Sequence, residues 1–134
     1  MPDGEADLTE LTRRGFRTLR EDGVDAWMEG FTTPDFVWDV DPMGLGRFEG
    51  RAAYKRFFED WISTYEDWFS EVLEVEQLGD QVTVADVRQG GRLRGSEPVE
   101  FRWAQLALWR GDRVQTVINY MTLDEARAAA AKLV

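Results

Sequence analysis

Two aspartates near the end of a strand-like segment, residues 36–41, are the side chains best suited to chemistry. Because side chains alternate along a strand, Asp39 and Asp41 share one face with Val37. Burying two carboxylates together raises the pKa of both, and proteins use such pairs in catalysis or in binding. The alternative is that this face meets water and both carboxylates are solvated. The Asp41-Pro42 step that follows marks the end of the strand.

The composition narrows the possible functions. The 134 residues include 26 acidic and 16 basic side chains, a net charge of −10, so we expect no binding to nucleic acid. The chain has no cysteine and no histidine, which excludes a thiol nucleophile and a cysteine- or histidine-based metal site. We therefore expect neither a metal nor a cofactor, and acid–base chemistry would fall to carboxylates.

No apolar run approaches the roughly 20 residues of a membrane span. The amino-terminal residues do not resemble a signal peptide. We therefore expect a cytoplasmic protein that does not bind membranes.

The amino-terminal third is predicted to be helical. Asp7 and Glu10 have capping-box spacing before an apolar stripe, and Gly23 should end this first helix. A second helix is predicted over Val24–Phe31, where apolar residues recur at helical spacing, and Thr32-Thr33-Pro34 should end it.

A third helix carries an aromatic face of about four turns. The residues at helical spacing are Tyr54, Phe57, Phe58, Trp61, Ile62 and Tyr65. The simplest interpretation is a core helix packed on a sheet, and such a helix can also line a pocket.

The second half is predicted to form strands. They cover residues 69–78, 81–88, 99–109 and 113–121, with a polar hairpin connection over 89–96. A last helix begins at the capping box formed by Thr122 and Glu125. Consecutive strands favour an α+β fold in which a curved antiparallel sheet wraps the amino-terminal helices around a cone-shaped cavity. The chain shows no repeat and no linker, so we predict one domain over residues 1–134.

This order of elements resembles the nuclear transport factor 2-like superfamily, and within it the SnoaL-like polyketide cyclases and ketosteroid isomerases. The resemblance covers nearly the whole chain and rests on four segments: residues 36–44, Gly50-Arg51, Phe57-Phe58 and Arg113–Tyr120. It implies a small cofactor-free enzyme with a hydrophobic pocket, in which a carboxylate acts as general base on a carbonyl-bearing molecule. A cyclase or isomerase reaction would be typical.

The ketosteroid isomerase resemblance implies roles for single residues. The general base of those enzymes matches Asp41, and Asp39 would tune it. Their oxyanion-binding tyrosine and protonated aspartate are matched by Phe16 and Gln105. Because Phe16 cannot donate a hydrogen bond, we do not expect steroid isomerisation by that mechanism.

Limonene epoxide hydrolases offer a second resemblance, which implies hydration of an epoxide. Asp86 matches one of their carboxylates, but Val84 and Asn119 replace the partner arginine and the other aspartate. Dehydration of the scytalone type is excluded because the chain has no histidine.

If the face of Asp41 points into the cavity, a set of mostly aromatic ligand-contacting residues follows. The predicted set is Phe16, Trp27, Phe57, Phe58, Trp61, Asp86, Phe101, Trp103, Gln105, Asn119 and Met121. Gln105 and Asn119 could hold a carbonyl or enolate oxygen, or could simply satisfy the aspartates. The alternative to an enzyme is a non-catalytic ligand-binding or dimerisation module, which the absence of an acid at Phe16 favours.

The opposite face of the sheet is also predicted to be apolar. It carries Ala104, Leu106 and Leu108 on one strand, with Ile118 and Tyr120 on the next. Because monomers rarely expose such a patch, we expect a homodimer through this outer sheet face.

Overall fold

The computed structural model describes residues 7–93 and 95–134 as a curved sheet with three helices on its inner side and one on its outer side. The helices are α1 (Leu8–Asp22), α2 (Val24–Phe31), α3 (Arg51–Ile62) and α4 (Leu123–Ala131). The strands are β1 (Thr32–Asp39), β2 (Arg47–Glu49), β3 (Tyr65–Leu78), β4 (Val82–Leu93), β5 (Pro98–Arg110) and β6 (Arg113–Tyr120). No helix of these residues is long and apolar enough to cross a membrane.

The strand order is β2-β1-β6-β5-β4-β3. Strand β1 runs parallel to β6, and the other four pairings are antiparallel. The predicted α+β class is therefore confirmed, although the sheet is mixed instead of purely antiparallel. Strands β1 and β6 are separated in the chain by β2, α3 and the strands β3–β5. A connection of this length allows the two strands to run parallel.

The predicted helix caps are present. The Asp7 carboxylate accepts hydrogen bonds from the backbone N–H groups of Thr9 and Glu10 at 3.1 and 3.2 Å. The Thr122 hydroxyl accepts from the Glu125 N–H at 3.1 Å. Each contact satisfies a donor that the first turn of a helix leaves without a partner.

Strand β1 begins and ends earlier than predicted. Thr32 follows α2 directly in extended conformation, and the register with β6 is irregular between Thr32 and Val37. This irregular stretch accommodates Pro34, which has no N–H for a regular ladder. The strand ends at Asp39, and Asp41–Met43 forms a turn of 3₁₀-helix with proline in its first positions.

Strand β4 extends through most of the predicted hairpin connection. Gly90 and Gly91 pair with Glu100 and Val99 inside the sheet instead of forming a turn. A Cβ on Gly90 would lie 2.6 Å from the Val99 carbonyl oxygen. Glycine is therefore required here by close backbone approach and not by a change of chain direction.

Both faces of the sheet bury apolar side chains. The inner cluster joins α1, α2 and α3 to residues such as Phe36, Trp38 and Val117. The outer cluster joins Val84, Ala104 and Leu106 to two alanines of α4. The core is thus divided by the sheet, with α4 alone on the outer side.

Helix α4 covers part of the outer sheet face through which we expect a dimer. Ala104 and Leu106 are fully buried within a single chain, and α4 buries Ala126 and Ala130 against the same face. The other residues of the predicted patch, Leu108, Ile118 and Tyr120, are only partly buried. The homodimer through this face stays a prediction.

Candidate functional site

A cavity of about 360 Å³ lies between the amino-terminal helices and the inner face of the sheet. Its helical wall includes five of the predicted residues: Phe16, Trp27, Phe57, Phe58 and Trp61. Its sheet wall includes four more: Phe101, Trp103, Gln105 and Asn119. These nine residues come together in one lining, while their contact with a ligand stays a prediction.

Aromatic rings pack against one another along the β1 side of this cavity. The Trp38 ring meets Tyr54 at a centroid distance of 4.9 Å and Phe57 at 5.4 Å, both edge to face. Trp27 meets Phe36 in the same geometry at 5.5 Å. Such contacts fix ring positions, so the wall is rigid before any ligand enters.

The prediction that Asp39 and Asp41 face the cavity is wrong. The lining contains Phe36, Trp38 and Val40, which alternate with the aspartates along the chain. Asp41 is exposed in the 3₁₀ turn. The Asp39 carboxylate accepts a hydrogen bond from the Asp41 N–H at 3.0 Å and lies 3.6 Å from the Arg47 guanidinium. Side chains alternate along β1 as predicted, but the face that lines the cavity is the one with Phe36 and Trp38.

Two further predicted contacts, Asp86 and Met121, also lie outside the cavity. Asp86 is in register with Ala104 on the outer sheet face, where its carboxylate pairs with the Arg102 guanidinium. Met121 follows the end of β6 and is 56% exposed. Asp86 is therefore a buried carboxylate paired with an exposed arginine on the outer face, and in the described part of the chain it does not reach the cavity as epoxide hydration would require.

Gln105 and Asn119 form the polar part of the lining on β5 and β6. They are directly opposed in the antiparallel register, and both are buried. Asn119 Oδ1 has no hydrogen-bond partner among the residues that the structure describes. Asp39 and Asp41 lie outside the lining, so these amides do not satisfy the aspartates, whereas the alternative that they satisfy nearby backbone groups stays open for Gln105. A buried amide oxygen without a partner is costly, so Asn119 is suited to a ligand.

The sequence interpretation missed a second polar group, on β3 and β4. Trp68, Ser70 and Gln89 all contribute to the lining. The Trp103 indole N–H donates to Gln89 Oε1 at 3.0 Å, whereas Gln89 Nε2 and Trp68 Nε1 are buried without partners in the described chain. Gln89 was missed because Gly90-Gly91 was interpreted as a turn. A glycine pair inside a strand is the signal that could have placed it.

Comparison with known proteins identifies the family. A sequence profile of the SnoaL-like domain matches residues 12–117. The chain belongs to the SnoaL-like domain family. No curated protein gives a significant match to this SnoaL-like domain.

Solved structures share the fold over most of their length. A SnoaL-like protein from Jannaschia sp. CCS1, assigned as a polyketide cyclase, has a TM-score of 0.74 at 17% identity and covers 96% of this chain and 94% of its own. A protein with a ketosteroid isomerase-like fold from Catenulispora acidiphila DSM 44928, in complex with trimethylamine, has a TM-score of 0.72 at 16% identity and covers 91% of this chain and 92% of its own. TerC, co-crystallised with polyporic acid, has a TM-score of 0.73 at 13% identity and covers 92% of this chain and 97% of its own. At these identities the similarity shows the fold.

The cavity of this SnoaL-like domain is electrically neutral. Among the described residues, its lining contains no carboxylate, lysine or arginine, and its ionisable side chains are Tyr54 and Tyr65. Complete burial raises the pKa of Tyr54 well above its ordinary value. The Tyr54 hydroxyl therefore stays protonated at neutral pH, and the lining acts through rings, amides and hydroxyl groups.

Proposed function

We propose that this SnoaL-like domain binds an uncharged aromatic small molecule in its inner cavity. The observation that carries the proposal is a lining of aromatic rings and unpartnered amides without a charged side chain in the described chain. Small-molecule sites are typically mostly apolar, with a few polar groups that orient the ligand, and they measure about 300–1,000 Å³. The cavity volume of about 360 Å³ falls within this range.

The neutral lining favours binding over carboxylate catalysis. A general base must come within hydrogen-bond reach of the proton that it removes. Asp39 lies on the outer face of β1, and Asp41 is exposed in the 3₁₀ turn and is absent from the lining. The non-catalytic alternative considered for this fold therefore agrees better with the geometry than a cyclase or isomerase that uses Asp41.

Exclusion of charged ligands follows from the same lining. An anion would lose its hydration without gaining a cationic partner, and the net charge of −10 would oppose its approach. A neutral ring compound avoids both costs.

Calorimetric titration with tetralin and 1-tetralone tests the proposal, with the anion 2-naphthoate as the excluded class. We expect saturable one-to-one binding of the two neutral compounds and at least about tenfold weaker binding of the anion. Val117→Trp fills part of the cavity and should weaken tetralin binding, whereas Val134→Trp, at a position 65% exposed outside the lining, should not.

Circular dichroism and thermal unfolding establish that each variant is folded before its affinity is compared. Absence of saturable binding by both neutral compounds would contradict the proposal. Equal affinities of the wild-type protein and a folded Val117→Trp variant would do so as well, because the ligand would then bind elsewhere.

A further inference from the structure

The β3–β4 side of the cavity holds two N–H donors without partners. Gln89 is 2% exposed, and its Nε2 makes no hydrogen bond to any described residue. The same is true of the buried indole nitrogen of Trp68. A buried donor left unpaired costs more free energy than a typical hydrogen bond contributes, so an arrangement with two of them requires an explanation.

The orientation of the Gln89 amide follows from its neighbour Trp103. An indole N–H can only donate, and the Trp103 Nε1–H donates to Gln89 Oε1 at 3.0 Å. The amide oxygen must therefore face Trp103, and the NH₂ group must lie on the other side. Gln89 is thus held as a donor for any further partner.

Trp68 lies on the same side of the cavity, next to a bulge in β3. Glu66 pairs with Arg92 and Phe69 pairs with Gly90, so Asp67 and Trp68 together oppose Gly91. Asp67 has φ 56°, a left-handed conformation that aspartate tolerates better than most residues.

The bulge changes which side chains of β3 reach the cavity. If side chains alternated strictly from Ser70 back towards the start of β3, Trp68 and Glu66 would both point into the cavity. Instead Tyr65 and Trp68 line the cavity, while the Glu66 carboxylate pairs with the Arg92 guanidinium at 3.0 Å. The extra residue, Asp67, therefore keeps a charged side chain out of the lining.

Gly91 provides the space for this bulge. A Cβ at Gly91 would lie 3.2 Å from the Trp68 Cα and 3.2 Å from the Tyr65 ring. On the other side, the Phe58 ring meets the Trp68 ring edge to face at 5.3 Å. The Trp68 indole is held in place by its backbone and by its ring contact, which is how a binding group is preorganised.

We propose that Trp68 and Gln89 together bind a carbonyl oxygen, and that the ligand of this cavity is an aromatic compound that carries a carbonyl group. The inference rests on the proposed function, since it assigns the polar end of a ligand in the same cavity. A carbonyl oxygen has two lone pairs and accepts from both N–H groups, whereas a ligand donor would find no acceptor on these two atoms. The ring of the ligand would then lie among the aromatic side chains of the α3 side.

The matched ligands 1-tetralone and tetralin differ in the carbonyl group and test this directly. The measured quantity is the dissociation constant of 1-tetralone divided by that of tetralin. A change in the cavity that weakens both ligands equally leaves this ratio unchanged. Trp68→Phe keeps an aromatic ring and removes the N–H. Gln89→Glu keeps an oxygen for Trp103 and replaces the donor by an acceptor. Each variant should shift the ratio about fivefold or more against 1-tetralone.

Trp109→Phe is the matched control, because the Trp109 indole also lines the cavity but already donates to the Thr83 hydroxyl at 2.9 Å. It should leave the ratio unchanged. The infrared carbonyl stretch of bound 1-tetralone gives a second measurement: hydrogen bonding should lower its frequency in the wild-type protein, and Trp68→Phe should raise it.

The outcomes separate the two proposals. If neither compound binds, the proposed function fails. If both bind and the ratio and the carbonyl stretch are the same in the wild-type protein, Trp68→Phe and Gln89→Glu, the carbonyl site is overturned while the binding function stands. Bound water would then satisfy the two donors.

Discussion

Asp39 lies directly opposite Ile118 in the parallel pairing of β1 with β6, on the sheet face that α4 covers. This relationship sets the direction of every side chain in the last part of β1. Because Asp39 points outward with Ile118, Trp38 points inward with Val117. The aromatic wall of the cavity and the outward position of Asp39 are two consequences of one register.

Asp41→Asn should leave ligand binding almost unchanged. The Asp41 side chain is exposed in the 3₁₀ turn and lies outside the lining, so we expect the dissociation constant of tetralin to stay within about twofold of the wild-type value. Calorimetric titration measures this. A loss of tenfold or more would show that Asp41 reaches the ligand and would restore its assignment as a functional carboxylate.

Gly90→Ala should lower the free energy of unfolding by about 1–3 kcal/mol, because the new Cβ would lie 2.6 Å from the Val99 carbonyl oxygen. Gly30→Ala is the matched control. Gly30 lies within α2, nothing lies within 4 Å of a Cβ there, and alanine should stabilise the helix by about 0.5–1 kcal/mol. Urea unfolding of both variants measures the difference. A Gly90→Ala variant as stable as the wild-type protein would contradict the close approach of β4 and β5.

Ala126→Asp should detach α4 from the sheet. Ala126 is fully buried in the outer cluster, and a carboxylate there would lose its hydration without a partner. We expect a loss of about 2–4 kcal/mol in the free energy of unfolding and, as the outer face opens, self-association in light scattering. Ala128→Asp, on the exposed side of the same helix, should remain within about 0.5 kcal/mol of the wild-type protein. Equal effects of the two substitutions would argue against the packing of α4 described above.

Stability at alkaline pH should depend on Tyr54. Burial raises the pKa of Tyr54, so the folded state holds this proton more tightly than the unfolded chain does. Its contribution to stability is therefore fully present below the unfolded pKa of about 10 and is lost as the pH rises above it. The slope from this group approaches about 1.4 kcal/mol per pH unit.

Urea unfolding of the wild-type protein and Tyr54→Phe at pH 8, 10 and 11 isolates this contribution, because the other titrating groups, including Tyr120, are common to both proteins. The difference between the two free energies of unfolding should change with pH in that range. A difference that stays constant would indicate that the Tyr54 hydroxyl reaches water.

Local patterns predicted much of this fold. The caps at Asp7 and Thr122 depend on neighbouring residues alone and were predicted correctly. The aromatic face of α3 was predicted as far as Ile62, but Tyr65 belongs to β3 because the helix ends first. Strand alternation correctly grouped Phe101, Trp103 and Gln105 on one face.

Long-range contacts decided the rest. Phe36, Val37, Trp38 and Val40 are all buried, so hydrophobicity alone did not distinguish the two faces of β1. Val37, on the face of Asp39, is as buried as Trp38 on the other face, and no pattern within β1 can reveal which distant segments cover each face. The bulge at Asp67 likewise depends on the space left by Gly91, more than twenty positions further along the chain.

The sequence by itself determined the class of fold, the aromatic character of the residues that gather in the cavity, and the absence of histidine and cysteine chemistry. The tertiary structure decided which face of each strand meets the cavity, and so removed Asp39, Asp41 and Asp86 from it while bringing in Trp68 and Gln89. The physical reason is that alternation sets only the relative direction of side chains along one strand. Their absolute direction is set by pairing and packing with distant segments.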